Sequence, residues 1–341
     1  PSVWLLSHLP DNNVAFDRVD SPSARLLSDS RFARPRHRTP GWHAERWTSP
    51  ATVNNNEPMA PTQSSFESKA DATTILTYTW AIEDPVGIIQ IAHGLAEHAA
   101  RYDRLAQALN AAGYTVVASD HRGHGGTGQA DLGNFGAAGF AGLIADMGQL
   151  GAQLGAENPG LPVFLIAHSM GSFAAQSLLL TASDLYAGVV LSGTTALDVL
   201  AASLAQSEGP AGLEAFNVGF EHRTGYEWLS RDEDEVDLYV ADPWCGFDTP
   251  PDTIPMLFAA AGDLAAPQGI RVDLPVLLTS GSDDPLAGGG QLVELLGQRY
   301  RDAGLTDVTV TVYPGARHEI FNETNRDEIT ADVIGWLRAH T

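Results

Sequence analysis

The sequence predicts an α/β fold in which a mostly parallel sheet is flanked by helices. Strand-like and helix-like segments alternate from about residue 63 onward, as in βαβ units. Several of the strand-like segments are continuous apolar runs, which is typical of strands buried on both faces. One long interval, residues 194–270, contains helical stretches without a strong strand pattern. We therefore predict a helical lid inserted after the sixth core strand.

The first half of the patterned region begins with two β-rich segments separated by Lys69-Ala-Asp71, which predicts a hairpin. The apolar run that follows ends at His93-Gly94, and the next helical pattern stops at Gly113, a residue that commonly ends helices. A further strand and a glycine-containing helix precede the central strand. These patterns predict strands at 64–68, 73–80, 86–92, 115–119 and 162–167, and helices at 102–112 and 140–154.

The second half continues the alternation around the inserted interval. A helix pattern follows the central strand, a short apolar strand comes before the interval, and two strands and a final helix come after it. An insertion at this point would cover the carboxyl ends of the strands, where open α/β sheets place their ligand sites. The patterns predict strands at 188–191, 275–279 and 308–313, and helices at 172–181 and 326–339.

These elements divide the chain into a core, the lid and an N-terminal extension. We expect the core to comprise residues 63–193 and 271–341, the lid residues 194–270, and a poorly patterned extension residues 1–62. The extension has an unusual composition, because its first 58 residues carry seven of the nineteen basic residues and six of the 42 acidic ones. We expect it to be poorly ordered. The alternative is a docking arm, in which case its deletion would lower activity or change the oligomeric state.

The composition excludes several classes of function. The 341 residues carry a net charge of −23, which repels phosphate backbones and anionic lipid surfaces, so we expect no nucleic-acid partner. No segment approaches the ~20 apolar residues of a membrane span, so we expect no stable membrane insertion. A single cysteine, Cys245, excludes an intrachain disulfide and fits a reducing compartment. With no signal-peptide pattern at residues 1–10, we expect a cytoplasmic protein.

The segment Leu165-Ile-Ala-His-Ser-Met-Gly-Ser172 lies between a predicted strand and a predicted helix, which is the context of a nucleophile elbow. So tight a turn requires small residues two positions before and two positions after the serine. Those residues are Ala167 and Gly171, so the motif is A-x-S-x-G, with one methyl group more than G-x-S-x-G. We predict Ser169 as a nucleophile at the N-terminus of the following helix.

A nucleophilic serine needs a histidine to accept its proton and an acid to orient that histidine, in the chain order serine, acid, histidine. The loop Ser280-Gly-Ser-Asp-Asp-Pro285 follows one late strand, and Pro314-Gly-Ala-Arg-His-Glu319 follows the other. We predict His318 as the base and Asp283 or Asp284 as the acid. The backbone N–H groups of Leu95, after an earlier strand, and Met170, after the serine, are the expected oxyanion donors.

Four segments stand out: His93-Gly-Leu-Ala-Glu-His98 with Arg101-Tyr102, Asp120-His-Arg-Gly-His-Gly125, Ala167-His-Ser-Met-Gly171, and Gly281-Ser-Asp-Asp284 with Gly315-Ala-Arg-His318. Together they resemble the monoacylglycerol lipase and lysophospholipase-like branch of the α/β-hydrolase superfamily. Glu227-Trp-Leu-Ser-Arg-Asp232 and Tyr239-Val-Ala-Asp-Pro243 resemble lid segments of bacterial members. The resemblance spans about residues 64–341 and implies a serine carboxylesterase with a mobile cap. It also implies that Asp284 is the acid of the triad and that Leu95 and Met170 are the oxyanion donors.

The expected chemistry is ester hydrolysis through an acyl-enzyme, with an apolar ester such as a monoacylglycerol or a lysophospholipid as the small-molecule partner. We expect no cofactor and no metal, since His121-x-x-His124 has no patterned third ligand. The sequence leaves open whether the chain forms a homo-oligomer. Aromatic side chains of the lid are expected either to line an acyl pocket or to form the core of the lid itself; they are Phe216, Phe220, Tyr226, Trp228, Trp244, Phe247 and Phe258.

The same predicted residues are compatible with other functions. A lactone is an ester whose leaving alcohol stays attached, and amides or thioesters can use the same triad. A cofactor-free perhydrolase also has the triad, and a non-catalytic binding protein could reuse the fold. A dehalogenase or an epoxide hydrolase is disfavoured, because those enzymes need a carboxylate at the position of Ser169.

Overall fold

A computed structural model describes residues 60–206 and 212–341. The described residues form an eight-stranded sheet in the order β1-β2-β4-β3-β5-β6-β7-β8. β1 pairs antiparallel with β2 and β2 pairs antiparallel with β4, while the remaining neighbours are parallel. The predicted fold class is confirmed. The strands are β1 Thr62–Glu67, β2 Thr74–Trp80, β3 Gly87–Ala92, β4 Tyr114–Ser119, β5 Val163–His168, β6 Gly188–Ser192, β7 Val276–Gly281 and β8 Val308–Tyr313.

Helices connect the strands and cover the sheet. Each predicted helix is present: the final helix has the predicted ends, and the ends of the other three differ by one to three residues. The helix between β7 and β8 is one that sequence analysis did not predict. The helices are α1 Asp103–Ala111, α2 Gly125–Gly128, α3 Gly139–Glu157, α4 Met170–Ala182, α5 Leu197–Ala205, α6 Glu233–Ala241, α7 Thr253–Leu257, α8 Ala261–Leu264, α9 Gln291–Asp302 and α10 Arg326–Ala339.

The central strands are buried along their whole length and mostly apolar, because both faces of the sheet are covered. Successive residues of β5 alternate between two cores: Val163 and Leu165 pack with α3 and α4 on one face, and Phe164 and Ile166 pack with α1 and α10 on the other. Every residue of β5 is buried. Burial on both faces therefore explains why these strands lack the polar alternation of a half-exposed sheet.

The segment between β6 and β7, which we call the insertion, contains α5 to α8 and, in its described part, no strand. This confirms the expected helical character of the interval after the sixth strand. That residues 194–270 act as a mobile lid stays a prediction. Of the predicted extension, residues 1–59 lie outside the described residues, and β1 already begins at Thr62. Among the described helices, none is both long enough and apolar enough to cross a membrane.

Candidate active site

Ser169 occupies a strained turn between β5 and α4. Its backbone has φ 51° and ψ −120°, a region that L-residues rarely adopt. The turn is possible because its neighbours are small. A Cβ on Gly171 would lie against the carbonyl oxygens of Ala92 and His93, 2.6 Å from the latter. Ala167, the departure from the usual motif, is fully buried at the end of β5 and is accommodated there.

Asp284 and His318 lie side by side at the carboxyl ends of β7 and β8. His318 Nδ1 donates to Asp284 Oδ2 at 2.9 Å, and both side chains are almost fully buried. The carboxylate also accepts from Ser280 Oγ at 2.7 Å and from the Leu286 N–H at 2.8 Å. Asp283, the other aspartate of the loop, is exposed. The structure therefore brings Asp284 against the imidazole and leaves Asp283 in solvent.

Burial alone would lower the pKa of His318, but the adjacent carboxylate of Asp284 raises it above its ordinary value. Burial would likewise raise the pKa of Asp284, yet His318 and the hydrogen bonds to the carboxylate lower it. The neighbouring His168 ring, 4.7 Å from the His318 ring, has no such partner, and burial lowers its pKa to about 4. His318 is thus the histidine of this pair that is able to hold a proton near neutral pH.

Ser169 and His318 both line one cavity of about 750 Å³. Within the described residues no hydrogen bond joins the Ser169 hydroxyl to the imidazole. Such contacts are commonly long in enzymes without substrate and shorten when substrate binds. Leu95 and Met170 line the same cavity, and neither backbone N–H is used in a hydrogen bond to the described protein.

The rest of the cavity wall is mainly apolar and comes from α4 and the insertion, with Phe173, Leu200, Phe216, Trp228, Ile254 and Phe258 among the lining residues. Of the lid aromatic residues named from the sequence, five line the cavity. The other two pack elsewhere: Phe220 lies under the Arg317 guanidinium at 4.8 Å, and Trp244 packs edge-on against His98. Those two belong to the packing of the insertion and not to the cavity wall.

A buried charge network that sequence analysis missed lies beside the cavity. Arg101 donates to Glu97 at 2.6 Å and, through two nitrogens, to Glu319 at 2.6 and 2.8 Å. Glu97 also accepts from the Gly94 N–H at 2.5 Å, next to the predicted oxyanion donor. The network therefore joins the loop of Leu95 to the loop of His318. Glu97 and Arg101 are only four residues apart, but Arg101 and Glu319 are 218 residues apart, and no local spacing could indicate that second pairing.

His121 and His124, the pair considered from the sequence as a metal site, are both buried. Burial lowers the pKa of both His121 and His124 to about 3, and His124 Nε2 accepts a hydrogen bond from the Ala96 N–H at 3.2 Å. Elsewhere in the described chain, His98, Asp242 and Cys245 offer donor atoms of the kinds that bind metals. There, however, His98 is already paired with Asp242 at 2.9 Å, and burial raises the pKa of the thiol.

The sequence family described as serine aminopeptidase S33 matches residues 83–325, which is most of the chain. The chain belongs to this family. It is 32% identical over 267 residues to a monoacylglycerol lipase of Mycolicibacterium smegmatis, covering 75% of this chain and 90% of the relative. It is also 31% identical over 265 residues to the monoglyceride lipase of Mus musculus, covering 73% and 80% of the two chains.

Solved structures of similar proteins agree with these sequence matches. A thermostable carboxyl esterase from Bacillus coagulans, solved in complex with glycerol, superposes with a TM-score of 0.71 at 29% identity, covering 82% of this chain and 99% of the esterase. A lipase in an open form gives a TM-score of 0.70 at 25% identity, covering 82% and 99%. The predicted membership in the monoacylglycerol-lipase-like α/β-hydrolases and the lipase- or esterase-like enzyme class are confirmed.

Proposed function

We propose that this hydrolase cleaves neutral esters of apolar acids, such as monoacylglycerols, through an acyl-enzyme on Ser169. The observation that carries the proposal is the buried hydrogen bond between Asp284 and His318 on the wall of the cavity that also exposes Ser169. This arrangement supplies a histidine whose Nδ1 proton is held by a carboxylate. Its other nitrogen, Nε2, is then free to accept a proton from the serine.

The steps follow from these positions. His318 takes the Ser169 proton as the serine oxygen attacks the ester carbonyl, and Asp284 stabilises the imidazolium that forms. The N–H groups of Leu95 and Met170 donate to the developing oxyanion, where one such donor typically contributes about 2.7–4 kcal/mol. His318 then protonates the leaving alcohol. Water repeats the sequence on the acyl-enzyme and releases the carboxylic acid.

The cavity favours an apolar acyl chain and a neutral alcohol. Its apolar wall suits an acyl chain. Two carboxylates, Glu97 and Glu319, line the same cavity, and Arg101 is the cation already paired with both. An anionic phosphate on the leaving alcohol would approach this net negative group unfavourably. We therefore place monoacylglycerols before lysophospholipids, and we propose that the insertion acts as the cap over the acyl chain.

A hydrolysis panel tests the proposal. The substrates are p-nitrophenyl esters of increasing chain length, monoacylglycerols, lysophospholipids and lactones, with Ser169→Ala as the control. We expect monoacylglycerols to be cleaved with a higher kcat/KM than lysophospholipids of the same acyl chain, and Ser169→Ala to be inactive. A preference for lactones would replace the proposed substrate. Folded protein that neither hydrolyses esters nor reacts with a fluorophosphonate would favour a binding protein instead.

A further inference from the structure

Ala96 follows the proposed oxyanion donor Leu95 and has an unusual backbone. Its φ is +55°, in the left-handed region, and the residue is fully buried. This conformation is strained for an L-residue, because its Cβ comes too close to the following carbonyl oxygen. Such strain persists only where surrounding contacts hold the residue in place. The contacts of Ala96 therefore show what keeps the Leu95 loop in its observed shape.

The carbonyl oxygen of Ala96 accepts two hydrogen bonds, and both come from the insertion. The Tyr239 hydroxyl donates at 2.8 Å and the Gly246 N–H donates at 3.0 Å. Tyr239 is the more informative partner because its side chain is buried and its hydroxyl reaches this carbonyl from α6. We call these two hydrogen bonds the Ala96 clasp.

Two further contacts bring the same parts of the chain together. The Arg101 guanidinium lies 4.9 Å from the centre of the Tyr239 ring, and His98 Nε2 pairs with Asp242 Oδ2 at 2.9 Å. The segment from Tyr239 to Gly246 is thus fixed along residues 96–101 at several points. A displacement of this part of the insertion would remove two of the three hydrogen bonds that hold Ala96 in its strained conformation. The third, from the Ala96 N–H to His124 Nε2 at 3.2 Å, would remain.

On the opposite side of Leu95, the Gly94 carbonyl lies 2.8 Å from His93 Nδ1. The Gly94–Leu95 peptide is trans, so this carbonyl and the Leu95 N–H point in opposite directions. The direction of that N–H therefore depends on the backbone on both sides of Leu95. His93 contacts one side, and the Ala96 clasp holds the other together with the hydrogen bond from the Ala96 N–H to His124.

We propose that Tyr239 is a positioning residue: through the Ala96 clasp, the insertion holds the Leu95 N–H where it stabilises the oxyanion. The inference rests on the proposed function, since it assigns the Leu95 N–H a part in the reaction. The insertion would then have a second role besides covering the acyl chain. The oxyanion site is then complete only while α6 and the chain that follows it are in the observed position.

The first test is Tyr239→Phe, which keeps the ring and its packing on Arg101 and removes only the hydroxyl. The matched control is Tyr186→Phe, which also deletes a buried hydroxyl, here one that donates to Gln90 at 3.0 Å away from the cavity. With a short p-nitrophenyl ester we expect Tyr239→Phe to lower kcat about three- to tenfold with little change in KM, as for the loss of one hydrogen bond. Tyr186→Phe should keep the wild-type kcat.

A boronic acid that forms a tetrahedral adduct on the serine supplies a second readout. Its affinity for Tyr239→Phe should fall by about the same factor as kcat, because both report oxyanion stabilisation. An unchanged kcat and boronate affinity in Tyr239→Phe would overturn the inference. A change confined to KM would overturn it as well, because it would mean that the hydroxyl of Tyr239, a residue that lines the cavity, contacts the substrate directly.

The decisive variant is Ala96→Gly in the Tyr239→Phe background. Glycine adopts a positive φ without steric cost, so the loop should return to its active shape more often without the clasp. We expect the double variant to regain part of the lost kcat and boronate affinity, whereas further loss would overturn the inference. Wild-type protein that fails to hydrolyse esters would overturn the proposed function, whereas active wild type with unaffected Tyr239→Phe would overturn the clasp alone.

Discussion

Replacing Asp284 with asparagine should abolish most of the activity without disturbing the packing. The carboxylate accepts three hydrogen bonds, from His318, Ser280 and Leu286. Asparagine has the same shape, and its carbonyl oxygen can still accept from the Leu286 N–H. Its amide nitrogen would then face His318 Nδ1 and donate to it. That reverses the tautomer, so His318 Nε2 carries the proton and is unable to take another from Ser169.

The expected magnitude follows from this reversal. A base held in the wrong tautomer, in an otherwise intact triad, loses about 10⁴-fold in kcat. That factor corresponds to about 5.4 kcal/mol at 1.36 kcal/mol per tenfold change. The pH profile should change too. In the wild type, kcat/KM should rise with pH as His318 loses its proton, at a pKa that Asp284 holds above the ordinary value. Without the carboxylate, burial dominates, the pKa of His318 falls, and the residual activity should rise at a lower pH.

Asp283→Asn is the matched control, because it removes the neighbouring and exposed carboxylate. Steady-state hydrolysis of a p-nitrophenyl ester across pH, with thermal unfolding of each variant, measures the effect. Asp283→Asn should keep wild-type kinetics. The reasoning is refuted if a folded Asp284→Asn protein retains more than about a tenth of the wild-type kcat, or if Asp283→Asn proves the more damaging variant.

Gly171→Ala should fail to form the active site, because its Cβ would lie 2.6 Å from the His93 carbonyl oxygen; thermal unfolding and fluorophosphonate labelling test this, and a fully labelled, stable variant would contradict it. Arg101→Met should cost about 3–5 kcal/mol in urea unfolding at neutral pH, because Glu97 and Glu319 stay buried without their cation; the loss should shrink as acid protonates them, and a cost below about 1 kcal/mol would refute the network's role. His318→Gln should lower the free energy of unfolding most between about pH 4 and 6.5. The raised pKa of His318 gives the wild type stability that is lost as pH rises through that pKa, and the lowered pKa of Asp284 gives stability that is lost in acid. A pH-independent cost in urea unfolding would contradict this last assignment.

The fold was largely predictable because its central strands carry a strong local signal. A strand buried on both faces is mostly apolar, and so are the runs that become β3, β5 and β6, in which Gln90, His168 and Ser192 are the polar residues. The helix α9 was missed although it also carries a signal. Its buried residues Val293, Leu296, Gly297 and Tyr300 have helical spacing. The glycines at 288–290 and the polar residues between the apolar positions obscured that period.

The candidate site was predictable where chemistry depends on a local turn. The small residues around Ser169 and the aspartate and histidine after β7 and β8 are visible in short segments of sequence. The pairing of Arg101 with Glu319 and the contact of Tyr239 with Ala96 depend instead on residues more than 140 positions apart. Only the folded sheet brings these segments together, so their partners could not be assigned before the structure.

The charges around His318 explain why the backbone geometry of this site matters. Asp284, Glu319 and Glu97 all raise the pKa of His318, so they favour the imidazolium that forms in the proposed reaction. Arg101 is occupied by two of these carboxylates and is therefore not available to an oxyanion. Stabilisation of the oxyanion is left to N–H dipoles, which act only when they are correctly aimed. The two positive-φ residues next to those donors, Ser169 and Ala96, are accordingly the places where the fold maintains strain near the reacting atoms.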